Sequence, residues 1–125
     1  MTNTAWLAFL VAAAIGAPAR YLIDGLVQDH TEGVFPWGTF VVNVSGCLIL
    51  GTITGLGLYH GLDASTRNVL GSGGLGAYTT FSTFTFETVR LAEEGAINGA
   101  LRNVAASFIV GLAAAGVGIA LVALL

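Results

Sequence analysis

Residues 71–87 read GSGGLGAYTTFSTFTFE, a run in which glycines give way to hydroxylated and aromatic residues inside a long apolar stretch. Glycine at this density weakens a helix interior, and the β-branched threonines that follow add little helical drive. The expectation is a helix interrupted near the bilayer midplane, because irregular backbone at membrane depth survives only where protein or a polar cavity covers it. Carbonyls and amides freed there become available to bind ions. A kinked but continuous helix, with threonines bonded back to the preceding turn, is the other reading these residues leave open.

The surrounding composition makes this a membrane protein. Of 125 residues, 55% are hydrophobic and only 9% charged, with mean hydropathy +0.85. No soluble core of this size hides so much apolar side chain. The chain has no lysine, and its arginines (Arg20, Arg67, Arg90 and Arg102) face seven acids for a net charge of -3, which argues against any nucleic-acid partner.

Crossing a bilayer takes about 20 apolar residues, and four stretches qualify, at about 4–26, 37–60, 67–91 and 99–125. The expected fold is therefore an all-α membrane protein of four transmembrane helices. Its connections (Gln28 to Gly33, His60 to Asp63, Glu93 to Gly95) leave no room for a soluble domain, so residues 1–125 read as one membrane domain. The first stretch has no basic residue ahead of it and reads as a retained span rather than a secretory signal. Pro36-Trp37 suits the start of the second helix, and Trp6 suits an interfacial anchor for the first. Small residues four apart, as at Gly51 and Gly55 or Gly111 and Ala115, suit close helix packing in lipid.

Charge hardly orients the chain. Arg67 falls near the side where the N-terminus lies, Arg90 and Arg102 near the other, with Arg20 toward the end of the first span; so weak a bias suits insertion in either direction. Four glycine-packed helices also leave little space for a conduit inside one chain, which points to a two-fold dimer. Cys47 has no partner in the chain and reads as a small buried residue.

Polar residues recur at helical spacing. Thr39 and Asn43 lie one turn apart, as do Asn103 and Ser107, and Arg20 follows Pro18. Hydroxyls and amides in lipid are costly unless they face protein or water, so these faces should look inward. They are donors without fixed charge, which suits a small anion. Phe81 and Phe84, beside Ser82 and Thr83, could turn electropositive ring edges toward the same path. No GxxxxGK[ST] loop, catalytic triad or metal-ligand cluster is present, so neither ATP-driven transport nor an enzyme is expected, and His30 and His60 read as solvated loop histidines.

Taken together, Gly73 to Phe84 (GGLGAYTTFSTF) is similar to the GxxGGxTTFSTF signature of the Fluc (CrcB) fluoride channels. Gly38 to Gly46 (GTFVVNVSG) resembles their GTxxVNxxG segment, and Gly16 to Tyr21 (GAPARY) their GxxxRY. The resemblance implies a passive fluoride channel, an antiparallel dual-topology dimer with two pores, multi-pass in the plasma (inner) membrane, that keeps cytoplasmic fluoride low. It implies that Phe81 and Phe84 line the fluoride path, that Asn43 donates to the ion, and that Ser82, Thr83, Thr39 and Ser107 continue a polar track. It places Arg20 and Glu87 at a vestibule, and a structural sodium ion at the dimer interface on the backbone carbonyls of Gly76 and Thr79. Ala77 and Asn103 depart from the family pattern, and Gly111 lacks a hydroxyl that would continue the face of Asn103. A homodimer is the preferred assembly, with a heterodimer of related chains as the variant. The rival readings are a proton-coupled small multidrug exporter, which needs a carboxylate deep in the first span where this chain has none before Asp24, and a non-transporting membrane scaffold subunit, which leaves the phenylalanine pair without a purpose.

Overall fold

A computed structural model describes residues 1–125 and is all-helical. Helix α1 runs Asn3–Asp29, α2 Trp37–Tyr59 and α6 Ile97–Ala123. Between α2 and α6 lie α3 (Ala64–Arg67), a π-helical segment Asn68–Leu75, α4 (Gly76–Tyr78) and α5 (Ser82–Glu93). Only α1, α2 and α6 are long and apolar enough to cross a membrane. The stretch at 67–91, expected as a span with an interruption in it, is divided among these shorter pieces. The glycine run over 71–76 explains the widened turns, since it supplies no side chains to hold the tighter α ladder.

α2 packs most extensively against α6, and glycine sets the distance. A side chain at Gly51 would run into the Ala115 carbonyl, and one at Gly118 into the Leu48 carbonyl and, at 2.7 Å, the Thr52 nitrogen. Backbone meets backbone here, the close approach that small residues permit between helices in lipid. On its other side the bundle seats α1 against the π segment and α4. There Gly16 lies on the Gly74 carbonyl, so the irregular stretch is covered by protein.

The helix ends are tied down locally. Thr2 caps α1, accepting from the Ala5 amide at 3.3 Å. Asp63 caps α3, accepting from the Thr66 amide at 2.9 Å and its hydroxyl at 2.6 Å. Those bonds hold the Asp63 carboxyl below its ordinary pKa of 3.8. The two histidines stand exposed just past the ends of α1 and α2, and each also reaches a carbonyl. His30 Nδ1 meets the Leu26 carbonyl at 2.7 Å, and His60 Nε2 meets the Val122 carbonyl at 3.0 Å, joining the C-terminal ends of α2 and α6. The Leu26 carbonyl is one left over at a helix end, whereas that of Val122 also accepts from the Leu125 amide at 3.2 Å. Phe35, Trp37 and Phe40 form an aromatic cluster where α2 begins, with ring centroids 4.7–5.7 Å apart.

Candidate functional site

The site grows from residues 79–81, where the backbone leaves the helix between α4 and α5. Thr79 still donates its amide to the Leu75 carbonyl at 2.8 Å, and its hydroxyl bonds the same oxygen at 2.9 Å. Thr79 then turns extended, with ψ 167°. The next amide, on Thr80, would continue the ladder to Gly76, but goes instead to Asn43 Oδ1 at 2.9 Å, while Asn43 Nδ2 donates to the Thr80 carbonyl at 2.8 Å. The amide side chain thus stands in for a backbone partner on both sides of one residue. Fixed donor and acceptor on Thr80 also settle which Asn43 atom is oxygen.

Further contacts hold the same turn. The Thr80 hydroxyl accepts from the Thr83 amide at 3.2 Å and lies 3.1 Å from the Thr83 hydroxyl, capping the first turn of α5. Ser45 and Tyr78 share a hydroxyl hydrogen bond of 2.8 Å, and the Thr79 methyl lies against Gly46. From α1, Arg20 Nη1 donates to the Thr79 carbonyl at 3.2 Å.

A groove of about 460 Å3 opens beside this turn, lined by Asn43, Gly76, Thr79, Phe81, Phe84 and Ser107 among others. Phe81 is 74% exposed on its rim while Phe84 is 9% exposed at its back, with ring centroids 5.9 Å apart. Phe108 meets Phe84 nearly perpendicularly, centroids 6.3 Å apart and planes at 76°. Behind Phe84, Thr88 bonds the Phe84 carbonyl at 2.8 Å and Asn103 donates to Thr88 at 2.8 Å. The groove is therefore mostly apolar, with a few neutral polar residues and two phenylalanines at its turn and no carboxylate among its lining residues.

The remaining expected residues lie elsewhere. Glu87 lines a second cavity of about 800 Å3 with Asp24, Asp29, Arg90 and Glu94, whereas Arg20 lines neither cavity. Thr39 is 2% exposed, and its hydroxyl and Glu87 Oε2 are buried without a hydrogen-bond partner. Ser82 and Thr83 sit on the first turn of α5, outside the groove lining. Thr80, Ser45, Tyr78, Thr88 and Phe108 were not expected as site residues. The sequence marks them only as ordinary hydroxyls and rings, and their partners come from other helices.

Gly76 and Thr79, whose carbonyls are expected to hold sodium, both line the groove. That of Gly76 has lost its helical partner because the Thr80 amide turns to Asn43. That of Thr79 accepts one bond from Arg20 and keeps a second lone pair. They fit a hard cation as oxygen ligands, with the Arg20 charge close to one of them.

Residues 7–119 match the family described as CrcB-like protein, Camphor Resistance (CrcB). The chain belongs to that family. It is 46% identical to the fluoride-specific ion channel FluC 1 of Streptomyces avermitilis, over 91% of this chain and 92% of that one. Its identity to FluC 1 of Frankia casuarinae is also 46%, over 93% and 94% of the two chains. FluC 1 of Symbiobacterium thermophilum is 43% identical over 93% and 95%. These CrcB relatives are named as ion channels, not enzymes. With three helices able to span a bilayer, this CrcB chain is a multi-pass membrane protein.

Proposed function

We propose that this chain is a fluoride-selective channel that lets fluoride leave the cytoplasm passively, down its electrochemical gradient, and so limits its toxicity. The groove carries the reading: one face gathers Asn43, Phe81, Phe84 and Ser107, neutral polar side chains beside aromatic rings, with no carboxylate. The names of the relatives agree with it. Fluoride is small and strongly hydrated, so a pore must replace its water with donors and ring edges; a larger ion such as chloride gains less and fits worse. One amide proton of Asn43 Nδ2 is committed to Thr80, which leaves the second for an ion. Ser82, Thr83 and Thr39, which lie outside the groove lining, would extend the polar track beyond it, with Arg20 and Glu87 acting on anions outside the groove.

The assembly we propose is an antiparallel, dual-topology homodimer in the plasma membrane with two pores, in which residues 64–93 cross as two half-helices joined at 79–81. The 74% exposure of Phe81 on an apolar rim supports a second copy as its cover. Gly76 and Thr79 carbonyls from each copy would hold a sodium ion, which supplies positive charge at the shared centre when bound. Replacing sodium with a bulky organic cation is then expected to lower the melting temperature of the purified protein.

Fluoride efflux from liposomes containing this chain alone, with a potassium ionophore and chloride as control, tests the function. Rapid chloride-excluding efflux that Phe81→Ile abolishes is the expected result. Well-folded protein that moves no fluoride would overturn the homodimer and direct attention to a related partner chain. Efflux unchanged by both Phe81→Ile and Asn43→Ala would overturn the assigned path.

A further inference from the structure

The α6 wall of the groove is set by a relay in which each proton has one direction. The Phe84 carbonyl can only accept, so Thr88 spends its single proton there, at 2.8 Å. The Thr88 oxygen then accepts from Asn103 Nδ2 at 2.8 Å. With its nitrogen so placed, Asn103 presents Oδ1 to Ser107, whose hydroxyl donates to it across 3.5 Å. Asn103 is 1% exposed, so little solvent competes for its side chain. Ser107 lines the groove, and the acceptor its proton meets within the chain is Asn103 Oδ1, in a long contact of 3.5 Å. While that contact holds, an anion arriving there meets lone pairs.

We infer that Asn103 is a positioning residue that keeps Ser107 an acceptor toward the groove, so that Ser107 donates to an anion only on leaving Asn103. The 3.5 Å bond is the longest in the relay and the first to open. The consequence for flux rests on the channel reading; the relay itself does not.

The test is a cycle of fluoride efflux measurements on the full chain. Asn103→Leu removes the oxygen that holds the Ser107 proton, and is expected to raise flux about threefold, the scale of one modest hydrogen bond. In a Ser107→Ala background the same change is expected to raise nothing. A purely structural role would lower flux in both backgrounds, and either a fall or a rise that persists without the Ser107 hydroxyl overturns the inference. A second measurement needs neither an Asn103 variant nor conduction. Ser107→Ala leaves a buried Asn103 oxygen unpaired and is expected to lower the melting temperature by about 3 °C. No fall means that the relay is absent, whatever the chain transports.

Discussion

The two halves of α2 meet their neighbours in opposite ways. The C-terminal half, at Gly51 and Gly55, meets α6 through missing side chains, so that backbone rests on backbone. The N-terminal half, at Asn43 and Ser45, meets the 79–81 turn through side chains that replace a backbone partner. The first contact is close-packed and apolar and has no room to give; the second is polar, paired and beside a groove. Close packing in lipid depends on volume, whereas irregular backbone depends on every freed donor and acceptor finding a partner.

The contrast can be broken most severely at its tight half. Gly51→Leu would drive a side chain into the Ala115 carbonyl, which has no rotamer by which to yield, and is expected to cost at least about 3 kcal/mol. Loss of the monodisperse peak on size-exclusion chromatography in detergent checks this. At the polar half, Asn43→Leu strands the Thr80 amide and carbonyl together, for an expected loss of about 2–4 kcal/mol by thermal unfolding. Asn43→Asp keeps the acceptor and is expected to lose less than Asn43→Leu.

A smaller effect belongs to Arg20→Gln, which removes the charge but can keep a donor near the Thr79 carbonyl; about 1 kcal/mol is expected, read in the same unfolding assay. The smallest concerns neither half. Asp63 caps the short α3, and its folded pKa lies below 3.8, so the unfolded chain takes up the proton first as pH falls. The stabilisation is complete above that ordinary value and fades as pH drops through the folded one. Between pH 5 and pH 3 the melting temperature of Asp63→Asn is therefore expected to fall less than that of the unaltered chain.

Much of the architecture was legible because lipid is a simple solvent. Apolar runs longer than a bilayer is thick account for α1, α2 and α6, and glycines four residues apart mark the helix surface that meets α6. The glycine run at 71–76 announced trouble for a regular helix, but its form, a π-helical widening followed by a turn at 79–81, depends on packing against α1 and α2. The histidines show the limit from the other side. They read as loop residues, while the Val122 carbonyl that His60 reaches lies 62 residues away.

By itself, then, the sequence determined that the chain is a helical membrane protein, which stretch resists the helix, and which residue types are unusual in lipid. Only the tertiary structure decided where those residues spend their hydrogen bonds. It turned Asn43 to Thr80, Arg20 to Thr79 and Ser107 to Asn103, and it placed Glu87 in a cavity apart from the phenylalanines. The reason is physical: hydrophobicity and helical propensity act residue by residue along the chain, whereas a hydrogen bond is decided by whichever helix supplies the second atom.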